Sequence, residues 1–280
     1  MKDYNNRIKK ASEALKNAEY IFIGAGAGLS DAAGLKYSGK RFTDKFTDFI
    51  EKYDMEDLYT SSFYLFETME EKWAYWARHI SLNRFETPAT KLYKKLYQLI
   101  NKKKYFVLTT NVEHQFWKAG FSDEKIFATQ GDYGYIQCAI GCHKKLYDNE
   151  MLVQDMLMQT RDCKIPSELV PKCPVCGGDM DVNVRKDKYF IQDEAWDRAC
   201  NNYGSFLKEI EGKKVVFMEL GVGFNTPGII RYPFEQITYA NSNATLIRLN
   251  RDYPDGPDEN KDKTIAFDED MMKIIIDLLI

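Results

Sequence analysis

The sequence predicts an α/β protein, built as a doubly wound parallel sheet with a small domain inserted into it. Short apolar runs of β-forming residues alternate with longer segments in which apolar residues recur at helical spacing, as in parallel strands joined by helices. Between residues 133 and 190 this alternation stops, and closely spaced cysteines appear. We therefore expect a sheet domain formed by residues 1–132 and 191–280, and a small domain formed by residues 133–190.

The glycine-rich stretch after the first apolar strand is the strongest local signal. Gly24, Gly26 and Gly28 allow a tight turn, and Ser30 suits the start of a helix. A strand, a glycine turn and a helix N-terminus together favour an anion, most often a phosphate, so we expect a Rossmann-like nucleotide site. A glycine turn without a ligand is the alternative. Residues 43–46 then read as a helix start and not as a strand with a ribose-binding acid, which argues against an ordinary Rossmann enzyme.

Helical patterns account for much of the remaining chain. We expect an amphipathic helix over residues 4–17, one that starts at Pro88, one over residues 193–210 and a last one from about Asp268. Residues 42–82 are helical in pattern and unusually aromatic. Because aromatic stripes at helical spacing usually face the interior, we expect core packing for most of these rings, with ligand stacking as the alternative.

Further strands are predicted, each followed by polar residues or glycines. These strands and the segments that follow them are 105–108 with 109–114, 125–128 with 129–132, 214–220 with 221–227, and 244–249 with Asn250. Open α/β sheets bind ligands at the carboxyl ends of their strands. The sequence therefore predicts one site at this edge of the sheet, to which several strands contribute.

Four cysteines in the inserted segment indicate a metal site. Cys138 and Cys142 form one short-spaced pair, and Cys173 and Cys176 form a second pair with two glycines behind it. This spacing is typical of a zinc ribbon, in which four thiolates close a tetrahedron and leave no position open for substrate. Four unligated thiols are the alternative, and His143 could replace one cysteine. Cys163 and Cys200 lack a partner at metal spacing and read as ordinary thiols.

Composition excludes several classes of partner. The chain of 280 residues has 39 basic and 42 acidic side chains, a net charge of −3, and no long charged run. We expect no binding to nucleic acid and none to membranes, since no apolar run is long enough to span a bilayer. The N-terminus lacks the apolar core of a signal peptide, and a cytoplasmic location is therefore expected.

Taken together and in this order, the motifs resemble those of the sirtuins, over nearly the whole chain. The resemblance rests on residues 26–30, 33–35, 109–113, 119–120 and 130–131, the four cysteines, residues 221–223 and Asn250. It implies a Rossmann-like large domain, a zinc-ribbon small domain with a structural zinc ion, and NAD in the cleft between them. It also implies cleavage of the nicotinamide–ribose bond and transfer of the ADP-ribose carbon to a nucleophile.

The sequence differs from the deacylating sirtuins at several motif positions, and these differences indicate which kind of sirtuin it resembles. Residues 36–39 replace a Pro-Asp-Phe-Arg run, Thr110 replaces a glutamine, and Glu113 replaces an aspartate. Gln130 stands where those members carry their general-base histidine. A carboxamide has no useful proton affinity near neutral pH, and the loss of a general base typically costs about 10²–10⁴-fold in rate. The sequence therefore looks poorly suited to deacetylation.

Asn111, Gln130 and Arg185 make the chain similar to class M sirtuins, microbial members linked to macrodomain proteins. Those members mono-ADP-ribosylate a lipoyl-carrying, glycine-cleavage H-like protein. The resemblance implies that Asn111 positions the nicotinamide ribose and that Gln130 holds the ribose hydroxyls. Arg185 would grip a phosphate or an acidic acceptor side chain. A functional link to a macrodomain hydrolase, to lipoylation and to the oxidative stress response is implied as well.

The resemblance also assigns contacts to NAD. The implied NAD-binding residues are Gly26, Ala27, Gly28, Ser30, Arg41, Thr110, Glu113, Gly221, Gly223, Asn225, Asn250, Arg251 and Phe267. The competing interpretations are structural: Asn111 and Gln130 as caps of turns, and Arg185 as a surface charge.

Three hypotheses follow from the sequence. The first is a protein ADP-ribosyltransferase, which we prefer. The second is a weak deacylase or a hydrolase that consumes NAD. The third is a non-catalytic module that senses NAD or ADP-ribose. The acceptor residue and the oligomeric state cannot be read from the sequence.

Overall fold

The fold is described from a computed structural model, which covers residues 4–279. Residues 1–3 and 280, the ends of the predicted sheet domain, lie outside the described residues. The strands are β1 (Tyr20–Ala25), β2 (Lys104–Thr109), β3 (Ile126–Ala128), β4 (Gly131–Cys138), β5 (Tyr147–Asp148), β6 (Met180–Val184), β7 (Val215–Leu220), β8 (Ala244–Leu249) and β9 (Thr264–Phe267). The α-helices are α1 (Tyr4–Asn17), α2 (Ala27–Ala32), α3 (Lys40–Thr43), α4 (Thr47–Tyr53), α5 (Leu58–Ser61), α6 (Met69–Ile80), α7 (Lys91–Ile100), α8 (Gln115–Lys118), α9 (Glu150–Gln159), α10 (Glu194–Glu209), α11 (Arg231–Ala240) and α12 (Met271–Leu278).

Six strands form the large sheet, in the order β3-β2-β1-β7-β8-β9. Every pair of neighbours is parallel. The chain moves outward from β1 to β3 and later returns to β7 on the other side of β1, so the strand order reverses between β1 and β7. Open sheets bind ligands at such a reversal. The prediction of a Rossmann-like, doubly wound sheet is confirmed.

Both faces of this sheet are covered by helices, which explains its continuous apolar strands. All six residues of β1 and all six of β7 are buried. Ile21 and Ile23 point to one face and pack with residues of α1, α7 and α12. Phe22 points to the other face, where its ring lies 4.7 Å from that of Phe234 in α11. The period of two along the strand thus divides one apolar run between two cores.

The inserted segment forms a second, antiparallel sheet in the order β5-β4-β6. It shares one apolar core with α4, α6 and α9. The aromatic residues that the sequence places between 42 and 82 supply much of this core, since Phe46, Phe49 and Trp73 are fully buried. Phe63 is an exception, 58% exposed. The domain bounds at residues 133 and 190 stay a prediction.

Element boundaries agree with the sequence in most places and differ in a few. α1 spans the predicted residues 4–17. α7 begins at Lys91 and not at Pro88, because Thr90 still has extended backbone. α12 begins at Met271 because the side chain of Asp270 accepts a hydrogen bond from the backbone N–H of Lys273. Neither α11 nor β9 was predicted. No helix between residues 4 and 279 is both long and apolar enough to cross a membrane.

Candidate active site

A cleft of about 830 Å³ lies at the carboxyl ends of β1, β7 and β8. It is lined by both glycine turns, by polar residues that follow β2, β3 and β8, and by acidic residues that follow β9. The residues named from the sequence that line it are Gly26, Ala27, Gly28, Thr110, Gln130, Gly221, Gly223, Asn225, Asn250 and Arg251. The predicted convergence of strand ends therefore produces a real cavity of the size that a large ligand requires.

The two glycine turns pack directly against each other at the floor of this cleft. The N–H of Gly28 donates to the carbonyl of Gly221 over 2.9 Å. A Cβ on Gly28 would lie 2.8 Å from Gly221 Cα, and a Cβ on Gly221 would lie 2.3 Å from Leu29 N. Gly221 also has φ +60°, a region that glycine adopts without strain. These glycines therefore serve the contact between the turns as well as the approach of a ligand.

Asn111 is held beside the cleft by a hydrogen-bonded network. Its Nδ2 donates to the carbonyl of Gly26 over 3.1 Å and to the hydroxyl of Tyr93 over 3.2 Å. Its backbone N–H donates to Thr109 Oγ1. The side chain is 8% exposed. Because Nδ2 is committed to protein oxygens, the amide presents Oδ1 as its remaining polar atom, an acceptor for a hydroxyl or a water molecule.

Glu113 lies behind Asn111 in the same network. Its Oε1 accepts hydrogen bonds from Ser30 Oγ over 2.6 Å and from the Tyr93 hydroxyl over 3.0 Å. Burial raises the pKa of Glu113, and the hydrogen bonds from Ser30 and Tyr93 oppose that rise. Ser30 and Glu113 thus contact each other, and neither lines the cleft. Their implied contacts with NAD stay a prediction.

Gln130 and Arg185 are brought together by the junction of the two sheets. The backbone N–H of Arg185 donates to the carbonyl of Gln130 over 2.9 Å. Gln130 lines the cleft, and its Nε2 donates to Thr129 Oγ1. The Arg185 guanidinium lies 4.3 Å from the ring centroid of Phe190. β6 therefore delivers a permanent positive charge to the segment that carries Gln130.

The remaining implied NAD contacts differ in how directly they reach the cleft. Asn250 lines it, but the amide also donates to Val222 O and accepts from the N–H groups of residues 252 and 253. Arg41 does not line the cleft, and it donates to Asn83 Oδ1 and to the carbonyls of Leu82 and Lys36. The ring of Phe267 is fully buried, 6.1 Å from that of Tyr4.

Sequence reasoning missed a group of acidic and aromatic residues in the cleft wall. These are Asp31, Tyr59, Phe224, Asp252, Tyr253, Asp268, Glu269 and Asp270. Asp268 to Asp270 directly follow β9, so the rule that polar residues follow strand ends would have found them had that strand been predicted. Phe224 and Tyr253 lie in irregular loops, and Tyr59 lies in the four-residue helix α5, so none of them carries a periodic signal.

The four cysteines meet at one point of the small sheet. Cys138 Sγ lies 3.7 Å from Cys176 Sγ, and Cys142 Sγ lies 3.6 Å from Cys173 Sγ. All four sulfur atoms lie within 4.8 Å of one another. A tetrahedral zinc ion with Zn–S bonds of about 2.3 Å needs sulfurs about 3.8 Å apart, so these residues fit a structural zinc site. His143 Nδ1 lies 3.0 Å from Cys142 Sγ, where the ring can donate to a thiolate.

None of the three histidines of the chain lines the cleft. His79 is fully buried, and burial together with the charge of Arg41 lowers its pKa to about 3. His114 Nδ1 lies 2.5 Å from Asp132 Oδ2, and its ring stacks on Trp117. His143 lies beside the cysteines. The cleft therefore has no imidazole to act as a general base.

Comparisons with known proteins agree with this architecture. No family model matches the sequence. The protein ADP-ribosyltransferase of Staphylococcus aureus (strain Mu50) is 35% identical over 263 residues, 94% of this chain and 84% of that protein. The probable bifunctional ADP-ribose hydrolase/ADP-ribosyltransferase of Fusarium oxysporum f. sp. cubense is 29% identical over 255 residues, 86% of this chain but 42% of that protein. A solved structure of Sir2 with a p53 peptide and NAD⁺ has a TM-score of 0.58 at 15% identity and covers 96% of this chain and 95% of that chain.

The parallel sheet, the four-cysteine small unit and the cleft at the strand reversal define a protein of the sirtuin fold class. The staphylococcal relative narrows this class, because the similarity extends over most of both chains. The chain has the sirtuin fold and belongs to the same family as this protein ADP-ribosyltransferase.

Proposed function

We propose that this protein is an NAD-dependent protein mono-ADP-ribosyltransferase. The observation that carries this proposal is the side-chain chemistry of the cleft: Gln130 lines it and no histidine does. Transfer to a protein nucleophile needs orientation of the sugar and of the acceptor, whereas deacylation needs a base of useful proton affinity. Both curated relatives have names that include ADP-ribosyltransferase, and these names support the same activity.

Gln130 lines the cleft, whereas Asn111 and Arg185 do not, and each has a distinct role in this proposal. NAD supplies the ADP-ribosyl group when bound. Asn111 presents Oδ1 to a ribose hydroxyl or to a water molecule, since its Nδ2 is held by Gly26 and Tyr93. Gln130 orients the sugar by hydrogen bonds from its carboxamide, and Arg185 holds a phosphate or the acidic side chain of the acceptor.

A lipoylated, glycine-cleavage H-like carrier is the proposed acceptor protein, modified in the cytoplasm. The Fusarium relative supports a link to an ADP-ribose hydrolase, because its name joins that activity to transfer and this chain matches 42% of its length. A macrodomain hydrolase would then reverse the modification. The roles in lipoylation and in the oxidative stress response belong to the same proposal.

Labelled NAD and a lipoylated carrier protein test the proposal. We expect label on the carrier and a loss of roughly 10²-fold or more in Asn111→Ala and Arg185→Ala. Gln130→Ala should lose transfer as well, whereas Gln98→Ala, on the exposed side of α7, and Arg198→Ala, on α10, should retain it. Free ADP-ribose alone would instead identify a hydrolase, and binding without turnover would identify a sensing module.

A further inference from the structure

Two irregular loops form the outer wall of the cleft, one after β7 and one after β8. Each carries an aromatic residue that lines the cleft, Phe224 in the first and Tyr253 in the second. The two rings meet edge to face with centroids 5.0 Å apart. They are 48% and 51% exposed, so the pair presents free ring surface at the cleft.

Arg231, the first residue of α11, lies behind both loops. Its Nη1 donates to the carbonyl of Tyr253 over 3.2 Å, and its Nη2 donates to the carbonyl of Asp255 over 2.6 Å. Its guanidinium carbon lies 4.6 Å from the ring centroid of Phe224. The residue is only 3% exposed. One buried side chain therefore contacts both loops.

Charged residues of the sheet hold Arg231 in this position. Its guanidinium lies 3.5 Å from a carboxylate oxygen of Glu219, in β7, and 3.5 Å from one of Glu235, in α11. Arg248, in β8, pairs with the same two carboxylates and also donates to Asp255 O over 2.9 Å. Two arginines and two glutamates thus balance their charges, and buried charges persist in proteins when they are paired in this way.

We propose that Arg231 is a positioning residue, which holds the two loops so that Phe224 and Tyr253 offer a stacking surface to a flat heteroaromatic base of the dinucleotide. A base–aromatic contact is a general mode of nucleotide recognition. Arginine suits this task because its planar fork donates to two carbonyls while its face packs on a ring, which the single ammonium group of lysine cannot do. This role rests on the proposed NAD-dependent function.

Arg231→Lys tests the role, with Arg78→Lys as the matched control. Arg78 also pairs with a carboxylate, that of Asp48, donates to a carbonyl, that of Lys45, and packs on an aromatic ring, but it lies on α6 and does not line the cleft. For Arg231→Lys we expect the KM for NAD to rise roughly 10-fold with kcat within about twofold. We also expect faster amide hydrogen exchange in residues 251–257 without NAD. Arg78→Lys should show neither change.

Phe224→Leu tests the same role without the risk of unfolding, since Phe224 is half exposed. It should raise the KM for NAD while the melting temperature stays at the wild-type value. An unchanged KM in Phe224→Leu, or wild-type exchange in residues 251–257 of Arg231→Lys, would overturn the proposal. If the wild-type protein neither binds nor consumes NAD, the proposed function fails instead, and the exchange measurement still decides whether Arg231 holds the loops.

Discussion

A carboxamide and an imidazole differ in the ability to take a proton near neutral pH, and this difference sets the chemistry expected of the cleft. Gln130 reaches the cleft, while His114 and His79 are directed elsewhere, one to Asp132 and one into the core. Asn111 is restrained by hydrogen bonds from its Nδ2. At the scale of single residues, the lining of the cleft therefore includes a carboxamide and several carboxylates but no imidazole.

Glu113→Gln should change how stability depends on pH. Because burial raises the pKa of Glu113 above its ordinary value of 4.5, the folded protein keeps a proton that the unfolded chain has already lost. The free energy of unfolding contributed by this group therefore falls as pH rises from 4.5 through the raised pKa. The free energy of unfolding, measured by urea titrations across that pH range, should fall less in Glu113→Gln than in the wild-type protein. If the free energy of unfolding depends on pH in the same way in both proteins, the Glu113 carboxyl does not contribute to that dependence.

At the scale of secondary-structure elements, the ends of the strands position the residues of the site. The turns after β1 and β7 can touch because glycine occupies both sides of the contact. The sequence predicts the glycine turns and the cysteine cluster well, since short patterns of glycines and of cysteines are each typical of one local structure. It does not predict α11, in which Arg231 is buried and pairs with Glu219 and Glu235, so one charged residue lies on the face where apolar residues are expected. Phe267 shows the same limit, because its side chain turns into the core although its strand ends at the cleft.

Gly221→Ala should destabilise the protein strongly. The added Cβ would lie 2.3 Å from Leu29 N at a residue with positive φ, so the two glycine turns must separate. We expect a loss of about 3 kcal/mol or more in the free energy of unfolding, measured by urea denaturation. Gly223→Ala is the control, since a Cβ there meets no atom within 4 Å. Equal stability of the two variants would contradict the close contact.

Cys176→Ser should remove zinc and destabilise the small sheet. The four sulfur atoms surround one point, and a closed site of this kind contributes directly to folding. Metal analysis should find one zinc ion per wild-type chain and none in Cys176→Ser, with a lower melting temperature. Cys200→Ser, outside the cluster, should keep the zinc. A variant that retains full zinc would show that Cys176 is not a ligand.

At the scale of the whole molecule, the large sheet supplies the cleft and the small sheet supplies Arg185, and both meet at Gln130. The resemblance to the sirtuins predicted this division and the family. The orientation of Glu113 toward Ser30 and Tyr93, by contrast, depends on contacts between α2, α7 and the segment that follows β2. Ser30 and Glu113 are 83 residues apart in the sequence. Local patterns do not encode contacts of that range.

We propose that this cleft transfers ADP-ribose to a protein and does not remove acyl groups. Mass spectrometry tests it directly when the wild-type protein is incubated with NAD, a lipoylated carrier protein and an acetylated peptide. We expect the carrier to gain a single ADP-ribose while the peptide keeps its acetyl group. An unmodified carrier beside a deacetylated peptide would contradict it.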